Sequence, residues 1–301
     1  MAMEELIFES ICCNYCGGHN TKLVYQKRGN HTDVTYNIVK CTKCGLLYVN
    51  PRMRYESLKK IHTEEDFAGD SEAEIEQDTN NNELQIRQIE RVDKDLDEIA
   101  QYKTFIKGQK LLDIGSGTGL FLERARMKGY LVTGIEHSDV AYLHSKSKGL
   151  NVIKGDILNV DFPKESFNII TAFEFIAHCY DPTVFLNKVF YMLRRNGIFY
   201  YSTANVALRE YREQGAGHCY IDPEEHIYYY TPRSMRNFLK KAGFNLLYRD
   251  KDRLILAILK KLKILNYPKQ RPENKCQLLL SDIINTFYKI RGLRMPIGVK
   301  R

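Results

Sequence analysis

A chain of 301 residues, 44% of them apolar, can bury one sizeable core and a smaller second one. It has no run of 18 apolar residues, and Met1-Ala2-Met3-Glu4-Glu5 lacks the basic and apolar regions of a signal peptide, so neither a membrane span nor secretion is expected. A cytoplasmic chain keeps its thiols reduced, which makes the eight cysteines candidates for metal binding or core packing instead of disulfides.

The net charge of +8 is spread unevenly: residues 64–98 carry fourteen acids against three bases, and residues 251–301 carry thirteen bases against three acids. A basic tail suits phosphates, a membrane surface or an acidic partner, or it is simply a solvated face. Four regions follow: cysteine-rich 1–50, an acidic helical linker or lid 51–105, alternating strand and helix signals 106–250, and a basic helical tail 251–301.

In the first region Cys13-x-x-Cys16-Gly and Cys41-x-x-Cys44-Gly leave 24 residues between the pairs. Four thiolates suit tetrahedral zinc, and the glycine after each pair lets backbone N–H groups turn toward sulfur. A region this small buries little core, so the metal would supply folding energy. A hairpin pairing Lys22–Tyr25 with Tyr36–Val39 absorbs the long gap. Cys12 is a spare, because it could replace Cys13 only with an x3 spacing; His19 and His31 are expected as bystanders. Four thiolates leave zinc no open position, so the expected role is structural or in recognition.

Ile89, Val92, Leu96 and Ile99 recur at steps of three, four and three, one face of a helix with charges opposite. It is expected to pack across the sheet edge or over a cofactor pocket, after a break at Asp78-Thr79-Asn80-Asn81-Asn82.

Leu111–Ile114 is an apolar run, followed by glycines at 115, 117 and 119 and then the helical pattern of Leu120–Met127. Glycine supplies φ > 0 and admits a ligand that a Cβ would block, and the helix N-terminus favours electron-rich ligand atoms. The spacing departs from the dinucleotide pattern G-x-G-x-x-G, because the third glycine comes one residue early. Asp113-x-Gly115-Ser116-Gly117-x-Gly119 resembles instead the first motif of class I S-adenosylmethionine-dependent methyltransferases. A second strand, Tyr130–Ile135, ends in Glu136, whose carboxylate suits two vicinal ribose hydroxyls. A third, Asn151–Lys154, leads to Asp156 and Ile157. In the resembled family the acid there meets the adenine amino group, and the next N–H meets a ring nitrogen. Asp156 could otherwise be a turn or cap residue.

A fourth strand, Phe167–Ala172, runs into Phe173, which is placed beside the cofactor, and on through His178 to Asp181-Pro182. A helix from Pro182 carries Phe185, Leu186, Val189, Phe190 and Leu193, with Gly197 expected to end it at C′. The fifth strand is Ile198–Thr203. Glu225-His226 precede Tyr228-Tyr229-Tyr230-Thr231-Pro232, where Thr231 caps a helix over Met235–Lys241.

Two blocks sharpen the resemblance: Glu225-His226…Tyr230-Thr231-Pro232-x-Ser234…Ala242-Gly243-Phe244, and Cys41-x-x-Cys44-Gly45-Leu46-x-Tyr48-x-Asn50-Pro51-Arg52. Both are similar to a class I subgroup that includes sugar and capsule-pathway methyltransferases. The fold so implied is α/β: a Rossmann-like sheet with helices on both faces, a small N-terminal zinc-ribbon-like module and a helical C-terminal tail. The resemblance implies S-adenosylmethionine as cofactor beside structural zinc. It also implies a small-molecule acceptor such as a nucleotide-linked or lipid-linked sugar, methylated at oxygen or carbon. Ala177 stands where the family carries an acid, leaving His178 without a neighbouring carboxylate.

A hydroxyl or carbon acceptor needs a proton removed, and histidine suits that task near neutral pH. Either His178 or His226 is the candidate base, the latter oriented by Glu225, with His218 and Tyr220 shaping the pocket. Two other functions compete. One is an RNA methyltransferase gripping with the zinc module and tail; the absence of an N/D-P-P-Y block and of a stacking array disfavours it, and nucleic acid is not the expected partner. The other is a non-catalytic binding protein, disfavoured by the intact glycine loop. The apolar stretches Leu254–Leu259 and Leu278–Tyr288, flanked by bases, would rest on a membrane, cover a sheet face or pair with a second subunit. Pro296–Val299 is expected as the last, antiparallel strand.

Overall fold

The computed structural model describes residues 6–61, 83–247 and 297–300. The break expected at 78–82 and both apolar stretches of the tail lie outside these residues.

The elements run in chain order as β1 (Phe8–Glu9), β2 (Thr21–Arg28), β3 (Thr35–Cys41), β4 (Leu47–Val49), β5 (Arg52–Met53), α1 (Tyr55–Ile61) and α2 (Glu83–Tyr102). Then come β6 (Lys110–Ile114), α3 (Leu120–Met127), β7 (Leu131–Glu136), α4 (Asp139–Ser147), β8 (Val152–Lys154), β9 (Phe167–Phe173) and α5 (Pro182–Met192). β10 (Leu193–Ser202), α6 (Arg209–Gln214), β11 (Tyr228–Tyr229), α7 (Pro232–Lys241), β12 (Asn245–Leu247) and β13 (Ile297–Val299) complete them.

The large sheet has seven strands in the order β12-β13-β10-β9-β6-β7-β8. β8, β7, β6, β9 and β10 are parallel, and β13 lies antiparallel between β10 and β12, as Pro296–Val299 predicted. Successive strand residues point to opposite faces, and both faces are apolar, as a covered parallel sheet requires. Leu112, Ile114, Ile170, Phe199 and Tyr201 join the side packed by Phe185, Leu186 and Phe238 of α5 and α7. Leu111, Ile169, Ile198 and Tyr200 join Leu96 and Ile99 of α2 and Leu122 of α3 on the other.

α2 therefore covers a sheet face and packs against α3. A forked Arg124–Asp93 pair at 3.0 and 2.6 Å and a Lys128–Asp97 pair join the two helices. Tyr200 Oη donates to Asp95 at 2.9 Å.

Helix ends follow their residues. Asp181 accepts from Val184 N ahead of Pro182 at the first turn of α5. Thr231 and Ser234 form a reciprocal capping box on α7. One expectation is corrected. Gly197 does not end a helix: α5 stops at Met192, and Gly197 lies within β10, where a Cβ would stand 2.8 Å from Arg194 O. The left-handed residue of that bend is Asn196, φ 60°, which tolerates the conformation better than most side chains.

The cysteine-rich segment builds a second sheet, β11-β4-β3-β2. Its hairpin joins the two expected segments in a shifted register: Lys22 stands opposite Lys40, Tyr25 opposite Ile38 and Tyr36 opposite Lys27, with a bulge between Leu23 and Tyr25. Its fourth strand, β11, comes from the far end of the chain: Tyr228 pairs with Tyr48. Cys13, Val39, Cys41 and Tyr48 share one apolar cluster with Leu112, Ile170 and Phe199, so the two sheets grow from a common core.

Candidate active site and cysteine cluster

The carboxyl ends of β6, β7, β8 and β9 carry the glycine loop, Glu136, Asp156 and Phe173 along one edge. Gly115, Gly117 and Gly119 hold φ of 71°, 53° and 86°. Phe175 lies against Gly115, where a Cβ would sit 3.1 Å from its ring. Gly119 is the N-cap of α3. The Ser116 hydroxyl is buried in this loop without a hydrogen-bond partner, a polar atom left for a ligand to satisfy.

Glu136 is pinned by backbone N–H groups. Oε2 accepts from Gly117 at 2.7 Å, and Oε1 accepts from His137 at 2.7 Å and Ser138 at 2.8 Å. A carboxylate offers about four acceptor positions, so one remains open. Asp156 Oδ1 accepts from Leu158 N at 2.8 Å, and Ile157 turns its side chain into the core. Phe173 meets Phe121 edge-on at 4.8 Å and Tyr200 at 6.0 Å; its ring braces the strand end from the α2–α3 side.

Asp113 is 2% exposed, and Thr171 Oγ1 donates to it at 2.7 Å. Burial pushes its carboxyl up to about 7; the Thr171 bond opposes this, and the negative charge of Glu136 adds to it. The folded chain thus keeps a proton that the unfolded chain has released above about pH 4. Stability falls as pH rises from about 4 to about 7, by about 4 kcal/mol, and is flat beyond. Asp113→Asn is expected to remove that slope. Urea unfolding should show the variant gaining about 3 kcal/mol on the parent between pH 5 and pH 8. Parallel pH profiles would refute the assignment.

The structure brings the two candidate histidines together. His178 ends the one-turn helix after β9, His226 precedes β11, and their ring centroids lie 4.7 Å apart. Ile227 N donates to Ala177 O at 2.9 Å, which ties the two loops. Glu225 does not orient His226. The His226 Nδ1–H group points to the Tyr220 carbonyl at 2.8 Å, and the Tyr220 ring stacks on the imidazole at 4.1 Å. Tyr220 Oη lies 3.1 Å from Thr203 Oγ1 at the end of β10, and burial pushes this phenol up to about 12. A proton fixed on Nδ1 leaves the Nε2 lone pair free to accept one. His218 stacks on Tyr211 at 3.9 Å instead of joining this pair.

A family model described as a methyltransferase domain matches residues 84–249. The chain belongs to this family. The ubiquinone biosynthesis O-methyltransferase of Pseudomonas fluorescens (strain Pf0-1) is 31% identical over 143 residues, 45% of this chain and 59% of that protein. The enzyme of the same name from Actinobacillus pleuropneumoniae serotype 7 is 32% identical over 127 residues, 38% and 54% of the two chains. The alignment thus spans little more than half the length of these relatives. Among solved structures, Haemonchus contortus phosphoethanolamine N-methyltransferase 2 with S-adenosyl-L-methionine is 16% identical, covers 69% of this chain and 52% of its own, and has a TM-score of 0.46.

The methyltransferase family match begins inside α2, and the cysteine cluster lies before it. The Sγ atoms of Cys13, Cys16, Cys41 and Cys44 all lie within 4.8 Å of one another. Cys13–Cys44 is 3.4 Å and Cys16–Cys41 is 3.6 Å; tetrahedral zinc with bonds of about 2.3 Å requires about 3.8 Å between sulfurs. Gly17 N bonds Cys13 O and Gly45 N bonds Cys41 O, with φ of 66° and 84°. Burial would raise the Cys41 thiol, but N–H groups of Cys44 and Lys43 aimed at its sulfur prevail and bring it down to about 7. Burial pushes the Cys44 thiol up to about 11. Cys12 stays outside, with Sγ 3.2 Å from His19 Nδ1.

Phe175 beneath the glycine loop and the backbone carbonyl that holds His226 carry no signal in the sequence. Arg52, at the end of the Asn50-Pro51-Arg52 motif, reaches the segment just after His178. Its guanidinium pairs with Glu9 at 2.8 Å, donates to Tyr180 O at 2.6 Å and lies over the Tyr180 ring.

Proposed function

We propose that this chain is an S-adenosylmethionine-dependent methyltransferase that acts on a hydroxyl of a small molecule, with structural zinc in the four-cysteine cluster. The observation that carries the reading is the row of Gly115-to-Gly119, Glu136 and Asp156 along one sheet edge, beside a histidine held as the Nδ1–H tautomer. The names of the curated relatives favour oxygen as the methylated atom. The two sequence blocks favour a sugar or glycan precursor, nucleotide-linked or lipid-linked.

Glu136 would offer its open acceptor position to one ribose hydroxyl; a second hydroxyl would replace the Gly117 N–H on Oε2. Asp156 would meet the adenine amino group, and the Ile157 N–H a ring nitrogen. The Ser116 hydroxyl would gain the partner it lacks. When bound, the cofactor supplies a methyl group already activated by sulfonium charge. His226 Nε2 would take the proton of the acceptor hydroxyl and so free its oxygen lone pair for that methyl group. The chain's task is to hold the acceptor oxygen about 3 Å from the methyl carbon and in line with it. His178, 4.7 Å away between ring centroids, would flank the same oxygen.

Calorimetric titration with S-adenosylmethionine, and with NAD as control, tests the cofactor. Micromolar binding of the first alone is expected. Glu136→Ala should weaken it about 10- to 100-fold, the loss of one or two charge-assisted hydrogen bonds. Unchanged affinity in that variant would remove Glu136 from the pocket. Incubating the protein with labelled S-adenosylmethionine and nucleotide sugars then tests the acceptor class.

A further inference from the structure

The turn of the cysteine-rich hairpin is fastened to the loop that carries His226, and the fastener is a buried carboxylate. Glu224 is 2% exposed. It accepts from His31 N at 2.7 Å, from Thr32 N at 3.1 Å, from the Thr32 hydroxyl and from Tyr36 Oη at 3.1 Å. All four donors belong to the β2–β3 turn or the start of β3. Asp222, two residues earlier, accepts from the Asn30 side chain through one oxygen and from Glu224 N through the other. Lys27 reaches His218 O at 3.4 Å, and the Tyr25 ring packs against Gly215. Gly29 leaves the room this needs: a Cβ there would stand 2.1 Å from Glu224 Oε1.

A buried carboxylate with four donors is costly to break, because each loss leaves a charge or a donor unpaired. The loop it fixes is short. His226 N bonds Asp222 O at 2.8 Å, and His226 Nδ1 bonds Tyr220 O at 2.8 Å. The carbonyl that holds the imidazole, Tyr220 O, and the one that holds the His226 backbone, Asp222 O, therefore both belong to the segment that the hairpin turn grips.

We propose that Glu224 is a positioning residue for methyl transfer: it clamps the hairpin turn onto the Tyr220–His226 loop and so keeps His226 in the tautomer that leaves Nε2 free. This rests on His226 acting as the base. It gives the cysteine-rich hairpin a part in the site beyond stability. The cluster fixes one end of the hairpin and the clamp fixes the other, at the far end of a seven-residue strand, about 20 Å away.

The test is nitrogen-15 NMR of the imidazoles in full-length, zinc-loaded protein labelled at histidine, with the His226 signals assigned by their loss in His226→Asn. In the parent, one fixed Nδ1–H tautomer is expected. Glu224→Gln places an amide group among four donors, and its His226 signals should move toward the averaged values of a free imidazole. Thr32→Val removes one donor at the turn and should move them the same way by a smaller amount, which keeps the test alive if Glu224→Gln folds poorly. S-adenosylmethionine affinity should change by less than about twofold in both, because the glycine loop and Glu136 lie on other strands. An unchanged His226 signature in two folded variants would make Glu224 a structural contact only. Full methyl transfer by His226→Asn would instead overturn the base assignment and leave the clamp standing.

Discussion

Serine in place of Cys41 is expected to abolish stoichiometric zinc and to lower the unfolding midpoint by about 8 °C or more. Zinc bound by four thiolates contributes folding energy outright, about 10–16 kcal/mol in isolated zinc-finger peptides near pH 7. This chain has other core, so only part of that is lost. Even about 4 kcal/mol shifts the midpoint of a chain this size by about 8 °C. The damage spreads because the knuckles are built into the larger fold. Asn14, between Cys13 and Cys16, donates to Asp181 at 3.0 Å and accepts from the Thr183 hydroxyl at 2.7 Å, both at the start of α5. Lys241 at the end of α7 donates to Tyr15 O at 2.7 Å. Metal content by mass spectrometry and a thermal melt check the result. A zinc-loaded parent that melts at the same midpoint as the serine variant, or a parent that binds no stoichiometric zinc, would sink the structural-zinc reading.

What could be read in advance follows from the range of the interactions. β6 and the glycine loop were legible because a strand buried on both faces reads as an apolar run, and a left-handed loop needs glycine at fixed offsets. The knuckles were legible because each thiolate pair carries its own turn chemistry within five residues. Thr231 and Ser234 form a local cap that their spacing announces. Contacts between distant segments were not legible. Nothing in Glu224-Glu225 says that the first carboxylate points at a turn about 190 residues away, or that the second leaves His226 to a backbone carbonyl. A carbonyl has no side-chain signature, so the neighbouring carboxylate of Glu225 stood in its place as the expected partner of His226. Gly197 misled for a related reason: glycine is frequent at helix C′, yet here it admits a close backbone approach inside β10 while Asn196 takes the bend. The helix Glu83–Tyr102 was legible, but not the face it covers, because the Asp93–Arg124 pair that docks it joins two helices by side chains common on any wet surface.

Gly119→Ala is the substitution expected to do most harm to the cofactor end. Gly119 holds φ 86° as N-cap of α3, and a Cβ there would stand 2.5 Å from Leu150 Cδ1 and 2.9 Å from Ser145 Oγ. The left-handed conformation costs a non-glycine residue about 1–2 kcal/mol. Overpacking beside a buried leucine adds about 1–3 kcal/mol. Ser145 has little room to yield, because its hydroxyl donates to Gly117 O at 2.9 Å and it is fully buried. The strain therefore reaches Gly117, whose N–H is the one holding Glu136 Oε2. A loss of about 2–5 kcal/mol in stability is expected by urea unfolding, with at least tenfold weaker S-adenosylmethionine binding by calorimetry at a temperature where the variant is folded. Gly117→Ala, at φ 53°, is a second test of the loop. It should cost at least the conformational part in stability, about 1–2 kcal/mol, and weaken the cofactor, because it alters the residue whose N–H holds Glu136. If both variants bind S-adenosylmethionine as the parent does, the glycine loop serves only to join β6 to α3.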